Sequence, residues 1–83
     1  MVKVLYFASL RELIGLANEE VVLPADATVA GLVACLSSRG GAYAEALAAG
    51  GRWRVAVNQD MAVLSDTITS GDEVAIFPPV TGG

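Results

Sequence analysis

Short apolar runs separated by turn-forming residues fill the chain, and their period changes along it. Val2 to Phe7 is dominated by β-branched and aromatic residues and reads as a strand. Ser9-Leu10-Arg11-Glu12 then has the spacing of a capping box, with Leu10, Leu13 and Ile14 on one face of a short helix that Gly15 stops. Glu20 to Leu23 reads as a second strand, ended by Pro24. Thr28 is placed to cap the main helix, on which Val29, Leu32, Val33 and Leu36 form a stripe at i, i+3, i+4 and i+7. Gly40-Gly41 breaks that helix, Tyr43 to Ala48 allows another helical turn or two, and Gly50-Gly51 breaks the chain again. Trp53 to Val57 reads as a third strand with Trp53, Val55 and Val57 on one side. After a turn at Asn58-Gln59-Asp60, Met61 to Leu64 returns as a short strand. Ser70-Gly71-Asp72 is a further turn and Glu73 to Phe77 the last strand. Pro78-Pro79 stops it, because proline brings no amide to a strand ladder.

The order strand, strand, helix and three more strands suits an α+β domain, a mixed sheet curled around one main helix, with the first and last strands paired at its centre. The expected organisation is one domain over residues 1–77 and an extended tail over 78–83.

Composition narrows the function. Eighty-three residues can bury roughly 60–65% of the unfolded chain's surface, enough for one modest core. The apolar fraction of 54% and mean hydropathy of +0.58 are high for such a domain and suggest apolar surface kept for a partner. No apolar run is long enough to span a bilayer, and the stretch from Met1 to Val4 has no secretory pattern, so no membrane role and a cytoplasmic location are expected. A net charge of −4, with Lys3, Arg11, Arg39, Arg52 and Arg54 dispersed, argues against nucleic acid. One cysteine cannot form an internal disulfide, which fits a reducing compartment. With no histidine, the usual general base and commonest metal ligand are missing, so no metal site is expected. No nucleophile triad, acid–base pair or phosphate loop is visible in the body of the chain.

The end of the sequence is different. Pro78-Pro79-Val80-Thr81-Gly82-Gly83 would reach about 20 Å when extended, and the two prolines stiffen its exit. The last two residues have no side chain, so they can thread a narrow channel and set a carboxylate in another protein's active site. A free carboxylate is inert towards nucleophiles, so such a tail needs activation, most simply as an acyl-adenylate. Sulfide or persulfide attack on that anhydride gives a thiocarboxylate. Terminal glycines also occur in merely frayed ends, but a frayed end needs no rigid spacer.

Three stretches carry a family resemblance. Lys3-Val4-Leu5-Tyr6-Phe7-Ala8 with Arg11-Glu12-Leu13, then Ala56-Val57-Asn58-Gln59, then Ser70 through Phe77 and on through Pro78-Pro79-Val80-Thr81-Gly82-Gly83, resemble the small subunit of molybdopterin synthase, the MoaD family. The resemblance spans the whole chain, though about Ser37 to Gly51 matches poorly, and the terminal block is its most specific part. It implies a β-grasp (ubiquitin-like) fold and a sulfur-carrier role in molybdenum cofactor biosynthesis. It also implies that Gly83 is adenylated by an ATP-dependent enzyme of the MoeB type and converted to a thiocarboxylate. The tail would then enter a large subunit of the MoaE type, in an assembly of two small and two large subunits. There it supplies sulfur to cyclic pyranopterin monophosphate for the molybdopterin dithiolene. On this reading the chain binds no cofactor itself, ATP being used by the activating enzyme, and is a non-autonomous subunit and co-substrate. A tail of this kind also fits sulfur supply for thiazole, cysteine or tRNA thiolation, or conjugation to lysines as a ubiquitin-like modifier.

Strand alternation puts Lys3, Leu5 and Phe7 on one face of the first strand and Glu73, Ala75 and Phe77 on one face of the last, with Val2, Val4, Tyr6, Val74 and Ile76 under the helix. Leu5, Phe7, Ala75 and Phe77 thus form a candidate partner-binding patch, the alternative being that the phenylalanines fill a minor core. The MoaD resemblance favours the patch. Cys35 falls at the rim of the helical stripe and reads as an unreactive, partly packed thiol, with no histidine or cluster of bases placed to activate it. Arg11, Asp72 and Glu73 read as solvated, and Trp53 as a core or core-edge aromatic.

Overall fold

A computed structural model of the chain describes residues 1–48 and 51–79. Its elements are β1 (Val2–Tyr6), α1 (Ala8–Ile14), β2 (Asn18–Val21), α2 (Val29–Ser37), α3 (Gly41–Ala46), β3 (Arg54–Val57), β4 (Asp60–Ala62) and β5 (Glu73–Phe77). Among the described residues the strands make one mixed sheet in the order β2-β1-β5-β3-β4. The two strands furthest apart in sequence, β1 and β5, pair in parallel at its centre, with Lys3 opposite Glu73 and Tyr6 opposite Ile76. The other pairings are antiparallel.

Period-2 alternation divides this sheet. Val2, Val4, Tyr6, Val55, Val74 and Ile76 are buried beneath α2, which contributes Val29, Leu32, Val33 and Leu36 from the stripe read in the sequence. The Thr28 hydroxyl accepts a hydrogen bond from the Gly31 amide at 3.0 Å, a cap that stabilises the helix by about 1 kcal/mol. Gly31 has a steric reason for its identity: a Cβ there would lie 1.9 Å from the carbonyl oxygen of Asp26. The α2 helix can therefore approach the loop before it only where a side chain is missing.

Several expected boundaries move, each for a local reason. Phe7 is not the last residue of β1 but the N-cap of α1; its carbonyl accepts from the Leu10 and Arg11 amides. The helix thus starts before Ser9, so the Ser9–Glu12 capping box does not form and no side chain caps α1. Gly15 closes α1 in the left-handed conformation as expected, but Leu13 points outward and only Leu10 and Ile14 meet the core. The second strand runs over Asn18–Val21 rather than Glu20–Leu23, because the ladder with β1 runs from Val2 opposite Val21 to Leu5 opposite Asn18. Helix α3 begins at Gly41, two residues before the expected turn. The fourth strand is Asp60–Ala62, not Met61–Leu64; the Val63 amide is diverted to the Asp66 carboxylate at 2.9 Å. The preceding hairpin turn needs left-handed backbone at two adjacent residues, Asn58 (φ 50°) and Gln59 (φ 72°). Cys35 is exposed rather than partly packed.

One polar cluster ties the sheet to the helical layer. Glu19 lies opposite Val4 and so faces the core side of β2, where an unpaired carboxylate would be costly. Its Oε2 accepts from the Tyr6 hydroxyl at 2.8 Å and the Tyr43 hydroxyl at 2.7 Å, and its Oε1 accepts from Arg39 at 2.7 Å. The Arg39 guanidinium also stands 4.8 Å from the Tyr43 ring centre. Burial alone would raise the Glu19 pKa, but the hydrogen bonds from Arg39, Tyr43 and Tyr6 outweigh it and hold the carboxyl below the usual range. Burial, reinforced by the bond to Glu19, pushes the Tyr6 phenol up.

Two stability predictions follow from these contacts. Gly31→Ala should lower the unfolding free energy in urea by about 2 kcal/mol or more, since backbone must shift to admit the methyl group. Glu19→Gln should cost about 1–3 kcal/mol at neutral pH. A carboxyl with a lowered folded pKa stabilises fully above its unfolded value of about 4 and loses that contribution as pH falls through the folded one. The gap between wild type and Glu19→Gln in pH-dependent denaturation should therefore narrow on acidification; a constant gap would contradict the charged role of Glu19.

Candidate functional site: the open sheet face and the chain exit

The sheet face turned away from the helices carries three rows of side chains, which the strand registers define. Furthest from the exit are Glu20, Lys3 and Glu73, in line across β2, β1 and β5. The middle row is Asn18, Leu5, Ala75, Ala56 and Met61, running across all five strands. The last row holds Phe77 with Arg54 opposite it. Phe7 joins that row, since its extended backbone continues β1 and its amide donates to the Ile76 carbonyl at 3.2 Å.

The four residues expected to form a docking patch are thus brought together on one face. Phe7 is 47% exposed, while Leu5, Ala75 and Phe77 are half-buried by their neighbours. None of the four belongs to the buried core, which answers the alternative that the phenylalanines fill a minor one. The patch is also wider than expected. Ala56 (8% exposed) and Met61 (65% exposed) extend it to the sheet edge, and Arg54 bounds it. The signal for Ala56 and Arg54 was available: with Val55 and Val57 pointing inward, residues 54 and 56 must point outward. Met61 depended on the hairpin register, which the two left-handed turn residues set.

The exit is built by the same two central strands. Because β1 and β5 are parallel, their C-terminal ends lie side by side, and Pro78 and Pro79 leave the sheet beside Phe7 and Phe77. Both prolines are half-buried and continue from the strand without helical structure. Val80, Thr81, Gly82 and Gly83 lie outside the described residues.

At the opposite end, side chains fasten the turns that start β5. Asn58 donates to the Asp72 carboxylate at 3.0 Å and accepts from the Glu73 amide at 3.0 Å; Asp72 also accepts from the Thr69 amide at 2.8 Å. The Thr69 amide, then Asn58, hold the Asp72 carboxyl below its ordinary range. Asp72 is therefore engaged in the turn rather than simply solvated. Trp53 sits at the core edge as expected, its indole N–H donating to the Ala48 carbonyl at 3.1 Å. Among the described residues no three histidine, cysteine or acidic side chains gather in a way that could hold a metal ion, and no helix is long and apolar enough to cross a membrane.

The arrangement is a mixed sheet that presents an apolar face next to the point where the chain leaves β5, and the ThiS family profile matches the chain over residues 4–83. The chain belongs to the ThiS family. It is 45% identical to the molybdopterin synthase sulfur carrier subunit of Escherichia coli (strain K12), an alignment that covers all of both chains. Among solved structures, a putative molybdopterin converting factor subunit 1 from Pyrococcus furiosus superposes with a TM-score of 0.80 at 31% identity, over 95% of this chain and 97% of that one. The small archaeal modifier protein 1 of Haloferax volcanii superposes with a TM-score of 0.76 at 30% identity, over 95% and 97% of the two chains. The fold is thus β-grasp, and the MoaD resemblance read from the sequence holds over the full chain.

The two faces of the sheet predict different mutational responses. Phe7→Ser, on the open face, should leave the unfolding free energy within about 1 kcal/mol of wild type, whereas Tyr6→Ser, one residue earlier and facing inward, should cost about 3 kcal/mol or more. Equilibrium denaturation of the two variants checks the assignment; equal losses would contradict it.

Proposed function

We propose that this chain is the sulfur-carrier subunit of a molybdopterin synthase, and that its reactive group is the carboxylate of Gly83. The observation that carries this reading is the placement of the chain exit beside an apolar sheet face, in a chain 45% identical to a sulfur carrier subunit along its whole length. The face supplies the docking energy. Each large apolar side chain buried against a partner contributes on the order of 1.5–3 kcal/mol, so Leu5, Phe7, Phe77 and Met61 can anchor a complex. The tail, beginning at Pro78 and Pro79 and ending in two glycines, then reaches a site inside the partner.

The chemistry proceeds in three steps on Gly83. An activating enzyme of the MoeB type joins the carboxylate oxygen to the α-phosphorus of ATP and releases pyrophosphate. Hydrosulfide, or a persulfide whose S–S bond a thiol then cleaves, displaces AMP and leaves the thiocarboxylate. In a large subunit of the MoaE type, in an assembly of two small and two large subunits, the thiocarboxylate sulfur bonds to a carbon of cyclic pyranopterin monophosphate as that carbon's C–O bond breaks, the oxygen leaving on the phosphate or as water. Water then cleaves the resulting thioester, leaving sulfur on the substrate and restoring the carboxylate; two such deliveries make the dithiolene. Removing Gly83 should abolish molybdopterin formation in a reconstituted synthase, because it takes away the carboxylate that is activated, and equilibrium denaturation of the truncated chain checks that the domain still folds. Undiminished product would refute the carrier role.

The likeness to a small archaeal modifier protein favours a second reading, in which the activated Gly83 is passed to lysine amines. The two readings separate by what accumulates on activation in a cell extract. A sulfur carrier gives a thiocarboxylate and a complex with the large subunit, whereas a modifier gives mass-shifted adducts on many proteins.

A further inference from the structure

The open face is not uniform in charge, and its polarity runs along the strands. The row furthest from the exit sets two carboxylates, Glu20 and Glu73, either side of the Lys3 ammonium, a net charge of −1. At the exit row the charged residue is Arg54, exposed and directly opposite Phe77. Its guanidinium donates to the Trp53 carbonyl at 3.2 Å, which keeps it at this end of the strand. The single ion pair among the described residues, Arg39 with Glu19, lies on the other side of the sheet. A chain with a net charge of −4 therefore presents a cation where its tail leaves and an anionic row at the far edge of the apolar patch.

Charges at the rim of an apolar interface govern approach and orientation more than final affinity. An apolar patch alone is poorly directional, and a partner could settle on it turned end for end. With a cation at the exit and net negative charge at the far edge, one orientation is attractive at both rims and the reversed one repulsive at both. We infer that Arg54 is an orienting residue for tail insertion, and that the protein receiving the tail carries carboxylates at the mouth of its channel and cations where the Glu20–Glu73 row docks. This rests on the proposed carrier function and adds the chemistry of the partner's surface to it.

The test measures association of the full chain with the purified large subunit of molybdopterin synthase from the same source, by stopped-flow at low and high salt. Arg54→Glu should slow association about three- to tenfold at low ionic strength and change dissociation less. Glu20→Lys should also slow it, because the partner's facing charge is of the opposite sign there. Both differences should fade near 1 M salt, where the screening length is about 3 Å, and Arg54→Lys should restore the wild-type rate. Wild type that binds while Arg54→Glu associates at an unchanged rate and salt dependence overturns the orienting role and leaves the carrier function standing. Faster association of Glu20→Lys contradicts the polarity, since it would mean a uniformly acidic partner surface. Absence of binding by wild type overturns the carrier reading, and this inference with it.

Discussion

The parallel pairing of β1 with β5 is the constraint on which the rest of the structure depends. Parallel neighbours cannot be joined by a tight turn, so the whole intervening chain becomes the crossover, and α2 packs across the sheet between them. The pairing is locked at its start, where the Lys3 amide donates to the Asp72 carbonyl at 3.0 Å and the Gly71 amide to the Met1 carbonyl at 2.8 Å. It has two consequences. The inward residues of both strands are buried together beneath α2. The outward residues end in a pair of phenylalanines beside the proline exit. An interaction that makes the core thus also fixes where the tail leaves.

Side-chain polarity then divides the work between the two faces. On the inner side the carboxylate of Glu19 is fully engaged by two phenols and a guanidinium, a cluster that holds β2 against the α2–α3 region without exposing reactive groups. The outer side keeps apolar area accessible, with Phe7 and Met61 about half or more exposed. Phe7 and Met61 join the half-buried Leu5, Ala75 and Phe77 there, and a contiguous apolar patch of this kind, unlike hydrophobes scattered singly, marks an interaction surface.

The strand alternation, the α2 stripe, the Thr28 cap and the patch of Leu5, Phe7, Ala75 and Phe77 were legible in the sequence because each follows from a local period or a single residue's chemistry. What was not legible depended on contacts across the fold. The shift of β2 came from its register with β1, and the lost capping box from a helix that starts at once after Phe7, with no linker. Glu19 carried no signal as an anchor, since its partners Tyr6, Arg39 and Tyr43 are distant in sequence and meet only when α2 and α3 pack on the sheet. Met61 joined the patch through a hairpin whose turn residues adopt left-handed backbone. Val80 to Gly83 lie outside the described residues, so the proposed reactive end rests on the sequence and the MoaD resemblance.

In the proposed carrier function, the folded domain serves to present one carboxylate, that of Gly83. Mass spectrometry of the intact protein tests it most directly, after incubation with a MoeB-type activating enzyme, ATP and a sulfide source. A sulfur carrier gains the mass difference of one oxygen exchanged for sulfur, located by fragmentation to Gly83 and absent without ATP. An unchanged mass in the presence of demonstrably active enzyme, or sulfur found on Cys35 instead, would contradict it.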